Sequence, residues 1–271
     1  MITLAALHVY PVKSCRGIEL ASAMLTDEGL AHDREWMIVD DTGRFLTQRV
    51  VPRMALIDTD LTSEALILRA PGAGAVSIAL DHRGDSIDTL VWRDRCLGID
   101  QGENAAAWIS QFLGRHARLM RFHPEQVRRS DRAWTGDAIA QTRYADGFAL
   151  LAISRASLAD LNARLPVPLP MDRFRPNLVL DDLPPYGEDA LQEFGAGEIR
   201  LRAVKPCTRC VVTTTDQATG TPMGQEPLRT LKTYRWDKRL RGVTFGQNVI
   251  VLSGRGAELR RGQQLQEYRV F

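Results

Sequence analysis

Of the four cysteines in the chain, Cys15 and Cys96 stand alone, while Cys207 and Cys210 form one CxxC in the run KPCTRC. Thiols at that spacing can ligate a metal, exchange a disulfide, or serve as two small apolar side chains at a strand end. A structural zinc needs two further Cys or His at ligand spacing. His8, His32, His82, His116 and His123 are scattered and all lie in the first half. A thioredoxin-like pair starts a helix, whose N-terminal dipole lowers a thiol pKa, whereas the β-branched run CVVTTT predicts a strand. Lys205 and Arg209 bracket the pair and favour a thiolate at Cys210, the form that a soft metal binds. Spacing alone leaves the buried structural pair open beside these chemistries.

Three further groups offer polar chemistry. In Phe174-Arg175-Pro176-Asn177, proline holds the backbone extended, Arg175 offers a rigid donor fork, and Asn177 offers both donor and acceptor. That set suits a phosphate joined to a polar heterocycle; as plain structure it is a strand-entry turn. In YPVKSCRG, Lys13, Ser14 and Arg16 follow an apolar strand and precede Gly17, placing an ammonium, a hydroxyl and backbone donors where an anion can be gripped. Arg34, in HDREWMIV, is an exposed charge beside a strand unless it joins them. Asp146-Gly147 is a turn dipeptide, and Asp146 becomes a proton donor only beside a metal.

The elements that must position these groups are mostly strands. Ile2, Leu4, Ala6 and His8 fall on one face of the first, and EWMIV and RFLTQRV flank the turn Asp40-Asp41-Thr42-Gly43 as a hairpin. MALIDTDL, ALILRA, VSIAL and TLVW read as further strands. ENAAAWISQFLG reads as a helix with Ala105, Trp108, Ile109 and Phe112 on a common face and Gly114 as its stop. Periodicity is lost from about Phe122 to Asp146, which predicts a long surface connection and a domain boundary. Beyond it come a strand (FALLAI), a helix aligning Leu158, Leu161 and Leu165, and the strands NLVLDD and EIRLRAVK. EPLRTLKTYR forms a short helix with Pro227 at its first position, and FGQNVIVL and ELRRGQQLQEY close the sheet. A strand-rich pattern with isolated helices fits a barrel-like β architecture better than a doubly wound sheet.

The 271 residues can bury a sizeable core, 44% of them being hydrophobic. Lys and Arg number 35 against 33 Asp and Glu, so no general excess of positive charge marks a nucleic-acid surface. No apolar run reaches the roughly 20 residues of a membrane span, and no basic residue precedes the apolar start as in a secretory signal. The expectation is a cytoplasmic protein with reduced cysteines.

With YPVKSCRG, DREWMIVDDTGRFLTQR, FRPNLVL, VKPCTRCVVTTTDQATG, EPLRTLKTYR and FGQN in this order, the chain resembles the MOSC family over nearly its whole length, and within it the amidoxime-reducing and bacterial YcbX-like branches. The resemblance implies a mainly β fold with a few helices (α+β): a MOSC-associated β-barrel-like domain over 1–122 and a MOSC β-barrel domain over 123–271. It implies the molybdenum cofactor (Mo-molybdopterin), with Cys210 as the one protein thiolate on the metal and Cys207 structural. Lys13, Ser14, Arg34, Arg175, Asn177, Thr208 and Arg209 match positions that hold the pterin or its phosphate, and Asp146 is the candidate proton source. Gly147 and Phe148 depart from the hydroxyl residues of some relatives, so contact there would come from backbone. The implied activity is reduction of hydroxylamines, amidoximes or N-hydroxypurines, independent of pyridoxal phosphate. Electrons would come from a separate ferredoxin- or flavin-type donor, since no four-cysteine ferredoxin domain is evident, and the lack of an evident membrane anchor agrees with the cytoplasmic expectation. The alternative is a protein that carries the cofactor, or transfers its sulfur, without turnover of its own.

Overall fold

The structure, a computed structural model, describes residues 1–268. Seven strands form a closed barrel in the order Leu150–Ser154, Leu178–Asp181, Ile2–Val9, Gln264–Tyr268, Glu193–Gly195, Arg200–Thr208 and Gly242–Ser253, the last pairing back to the first through Leu150 and Val249. The chain's first strand therefore sits between strands of its second half, antiparallel to Leu178–Asp181 on one side and Gln264–Tyr268 on the other. Leu4, Leu7, Leu150, Leu180, Phe194, Leu201, Val249 and Leu265 fill the interior. Closure removes the exposed sheet edges that would otherwise invite further pairing.

The first half builds two antiparallel sheets. One orders Trp36–Val39, Arg118–Phe122, Asp94–Asp100 and Ser86–Val91; the other orders Asp58–Leu61, Ala65–Ala70 and Gly74–Ala79. The helix Glu103–Leu113 buries the expected Ala105, Trp108, Ile109 and Phe112 against them and stops at Gly114, which caps it at φ 66°. The helix Arg155–Arg164 likewise buries Leu161, with Leu165 just beyond it and Leu158 partly covered, and the Ser154 hydroxyl caps its start.

Four expectations are corrected. A bulge between Leu4 and Ala6 reverses the first strand's faces, so Leu7 and Val9 continue the buried side and His8 leaves it. The arm RFLTQRV is no strand: Phe45 bridges to Val39 while Arg44 bridges to Leu90, splitting its pairing between two strands. CVVTTT is not a strand either. Val211–Thr214 is a 3-10 turn in which the hydroxyls of Thr213 and Thr214 donate to the carbonyls of Cys210 and Val211, using the freedom that lets threonine bond back into a helical turn. Lastly, the segment before Asp146 is no free surface loop. Arg128 is buried, pairs with Asp94 at 2.7 Å, and donates to the carbonyls of Arg143, Ala145 and Asp146, clamping a stretch in which Tyr144 is fully buried.

The barrel also depends on one glycine. Gly246 has φ +78°, and a Cβ there would stand 2.5 Å from Ile153 Cγ1 and 2.8 Å from the Ala152 carbonyl oxygen. Gly246→Ala is expected to lower the unfolding free energy by about 3 kcal/mol, from backbone strain and overpacking together. Urea denaturation would measure it; a loss below ~1 kcal/mol would mean that the strand pair yields.

Candidate functional site

The loop after the first strand turns sharply at Ser14, where φ is +67°. Its shape is fixed by Lys13 N–H donating to the Trp36 carbonyl and by Gln48 Nε2 donating to the Ser14 carbonyl at 2.8 Å. Gly17 is needed because the Tyr10 ring packs onto it; a Cβ there would lie 2.4 Å from Tyr10 Cε1. Arg34 and Arg175 both stack on that ring, each guanidinium 4.3 Å from its centroid. Arg34 and Arg175 also have positive φ, 46° and 56°. For non-glycine residues this costs about 1–2 kcal/mol each, and such strain concentrates at functional sites.

Asn177 is the joint between these pieces. Its Oδ1 accepts from Arg34 Nη1 at 2.9 Å and from Leu151 N–H at 3.2 Å, and its Nδ2 donates to the His8 carbonyl at 3.1 Å. The sequence suggested an amide facing a ligand with donor and acceptor alike; here the acceptor is fully used inside the barrel wall, leaving one N–H uncommitted. Arg34 also donates to Asp33 and to the Arg175 carbonyl, and Arg175 donates to the Cys15 carbonyl at 2.6 Å. Burial pulls Arg175 down to about 10 and pushes Tyr10 up to about 12.

Lys13, Ser14, Arg34, Asp146, Arg175, Asn177, Thr208, Arg209 and Cys210 all line one cleft, and Cys207, Gly147 and Phe148 line it with them. Cys207 lies next to the end of the strand Arg200–Thr208, and Cys210 caps the start of the 3-10 turn Val211–Thr214, its carbonyl accepting from Thr213. Both thiols are free and half-buried. Arg209 does not turn to Cys210 as its sequence position suggested. Its Nη1 donates to Cys207 Sγ at 3.0 Å and its Nη2 to the Phe174 carbonyl at 2.6 Å. Lys205 lies over the Trp134 ring instead.

Asp146 is tied to Lys13. Lys13 Nζ donates to Asp146 Oδ1 at 2.6 Å and to the Tyr144 carbonyl at 2.7 Å, and Trp92 Nε1 donates to the same Oδ1 at 3.1 Å. Lys13 is buried, while two-thirds of the Asp146 side chain is open to the cleft. Burial lowers the Lys13 pKa. Burial acts to raise Asp146, but the Lys13 charge and hydrogen bond with the Trp92 hydrogen bond outweigh it and hold the carboxyl well below its ordinary range. Asp146 is thus a carboxylate at neutral pH, poorly suited to the proton-donor role expected of it.

Sequence reasoning missed Arg173, Arg49 and Trp92. Arg173 is buried, spends Nη2 on Asp216 at 2.9 Å, and leaves Nε and Nη1 without a partner among the described residues, where Arg209 Nε is likewise unpartnered. Arg49 stacks on Trp92 at 4.3 Å at the cleft wall. Only the alternation of Arg173 with Arg175 hinted at the first. Six cationic side chains face a cleft lined by one carboxylate. A phosphate-bearing group fits that balance and the orphaned donors. Among the described residues no three His, Cys, Asp or Glu gather as a metal site. No described helix is long and apolar enough to cross a membrane.

The model of the MOSC N-terminal beta barrel domain matches residues 1–116 and that of the MOSC domain residues 140–266. The chain is 36% identical over 245 residues to the mouse mitochondrial amidoxime-reducing component 1, covering 86% of this chain and 71% of that protein. It is 35% identical over 270 residues to the human mitochondrial amidoxime-reducing component 1, covering 92% and 78%. It is 32% identical over 276 residues to a molybdenum cofactor sulfurase of zebrafish, Danio rerio, covering 94% of this chain but 32% of that one.

The Lys13–Asp146 pair yields a pH test. Asp146 has a folded pKa below its unfolded value of about 4, so its stabilisation is complete above that value and fades as pH falls through the folded pKa. Asp146→Asn should therefore cost about 1 kcal/mol at neutral pH, a figure kept small by solvent exposure. Urea titrations of both proteins should converge only in strong acid. Convergence already at pH 5 would mean that the pair does not hold the carboxylate.

Proposed function

The chain belongs to the MOSC family, and from that premise we propose that it is a molybdenum-cofactor-dependent oxidoreductase that reduces N-hydroxylated compounds. The reading is carried by unpartnered buried donors of Arg173 and Arg209 beside the free thiol of Cys210, in a cleft with an excess of positive charge. Lys13, Ser14, Arg34, Arg175, Thr208 and Arg209 would hold the pterin and its phosphate, Asn177 would fix Arg34 among them, and the Cys210 thiolate would ligate molybdenum. The cofactor would supply two-electron exchange. The net reaction is R–NHOH + 2 e⁻ + 2 H⁺ → R–NH₂ + H₂O.

The chain's own work is to bind, orient and supply a proton. Stacking on Tyr10 keeps Arg34 and Arg175 rigid, so little ordering entropy is lost when an anion arrives. The proton of the Lys13–Asp146 pair resides on Lys13 Nζ, and burial makes that ammonium a stronger acid than a solvated one. Lys13 is accordingly the better candidate donor, with Asp146 keeping it charged and aimed. Electrons would come from a separate ferredoxin- or flavin-type protein. A cytoplasmic setting fits four free thiols.

The zebrafish sulfurase likeness, which runs over most of this chain, supports a second reading: a carrier of the cofactor or of its sulfur. Mixing the loaded protein with a cofactor-free molybdenum enzyme separates the two, since a carrier surrenders its cofactor and a catalyst retains it.

Purified protein with a full complement of molybdenum should reduce a hydroxylamine or an N-hydroxypurine when given a chemical reductant, and no turnover of either would sink the enzyme reading. Cys210→Ser is expected to lose at least about a hundredfold in rate, more than an outer-shell change, together with one sulfur from the molybdenum X-ray absorption spectrum. Cys207→Ser should change both little. Equal damage at the two positions would instead point to a thiol-redox pair.

A further inference from the structure

The proposed reduction draws electrons from a separate protein, and the inference here rests on that reading. From Arg229 to Arg241 six basic residues stand against the single acid Asp237, in a chain whose total charge is only +2. Arg229 is neutralised by Glu226 and Arg235 by Asp189. Lys232, Lys238, Arg239 and Arg241 are exposed, and they form no ion pair among the described residues. Aromatic rings hold part of this charge in place. Lys205 Nζ and the Arg239 guanidinium lie 4.8 and 4.5 Å from the Trp134 ring, and Lys232 lies 6.0 Å from Trp236, which is itself 48% exposed.

This cationic face is continuous with the cleft. Trp236 pairs with Val243, and the Val243 carbonyl accepts from Arg209 N–H at 2.8 Å, so the hairpin is bonded directly to the residue before Cys210. Lys205 Nζ also sits 5.9 Å from the Phe148 ring, which lines the cleft. We propose that the face formed by the Trp236–Val243 hairpin with Lys205, Lys232, Lys238 and Arg239 docks an acidic one-electron carrier protein and delivers its electrons to the centre beside Cys210. Opposite charge steers such a partner onto the face, and the exposed Trp236 gives it an apolar contact. Each docking passes one electron. Two reduced carriers, two protons and R–NHOH therefore give two oxidised carriers, R–NH₂ and water. The patch gathers four cations from the hairpin, the helix before it and the neighbouring strand beside the cleft, which suits a small acidic protein better than a long polyanion or a membrane plane.

The test uses molybdenum-loaded protein with an acidic [2Fe–2S] ferredoxin and an acidic flavodoxin as carriers. The double reversal Lys238→Glu/Arg239→Glu, and separately Lys232→Glu, should raise the carrier concentration for half-maximal rate about tenfold or more, and weaken calorimetric binding of the oxidised carrier in parallel. The rate with dithionite-reduced viologen should stay within about twofold of the unaltered protein, because small reductants need no docking face. Carrier-driven rates of the unaltered protein should fall steeply with salt. Carrier binding indifferent to both reversals would overturn the proposal, as would tighter binding of duplex DNA or phosphatidylserine vesicles than of either carrier. Absence of viologen-driven turnover would instead strike the reductase reading, and the calorimetric comparison would still decide the docking face.

Discussion

The structure is organised around like charges brought together out of water. Arg34 and Arg175 share the face area of a single buried tyrosine, with Lys13 in the same cleft. Cations at that range repel, and desolvation adds to the cost, which is why burial lowers both Arg175 and Lys13. The protein offsets the expense locally. Asp33 and Asn177 accept from Arg34, the Cys15 carbonyl accepts from Arg175, and Asp146 with the Tyr144 carbonyl accepts from Lys13. These partners do not match the charge one for one. What is left over, including the orphaned donors of Arg173 and Arg209, is a standing demand for an anion.

That demand explains features of the scaffold that packing alone would not select. Left-handed backbone at Ser14, Arg34 and Arg175 aims three of the polar groups, and it persists only because the surrounding hydrogen bonds determine each loop twice over. Threading the first strand into the barrel of the second half brings Lys13 and Ser14 against the FRPN turn. Clamping the 143–146 backbone with Arg128 brings Asp146 under Lys13. Sequence-distant loops are thereby fixed to one another by barrel hydrogen bonds rather than by flexible surface contacts, as a preorganised site requires.

Much of this was legible in the sequence, and unevenly so. The helix over 103–113 was plain because a single face is apolar and a glycine ends it. The first strand was plain up to Leu4 and then misread, since a bulge inverts the alternation without leaving a mark in residue type. CVVTTT misled because β-branched residues favour strands on average, while two threonine hydroxyls here satisfy the carbonyls of a turn. The residues that line the cleft stand out as motifs, yet the partners each already holds do not. Asn177 looks like an open amide and has its acceptor spent on Arg34 and Leu151; Arg173 looks like a neighbour of the motif and carries donors unpaired among the described residues. Roles of that kind depend on which partners are already spent, and spacing along the chain does not encode them.

The two cysteines show the same limit at its narrowest. In sequence they are one CxxC flanked by cations, and either thiol could be the reactive one. In space the strand ends between them. Cys207 remains in the ladder with Arg209 Nη1 on its sulfur, so its lone pairs are partly occupied and its position is set by the strand. Cys210 follows at the head of the threonine turn, its carbonyl held by Thr213 and its neighbour Arg209 pinned to Val243. A backbone fixed on both sides beside a sulfur for which no hydrogen-bond donor is found among the described residues is the arrangement that suits a ligand thiolate. On the proposed reading, a soft metal would take the lone pairs that a neighbouring arginine has not.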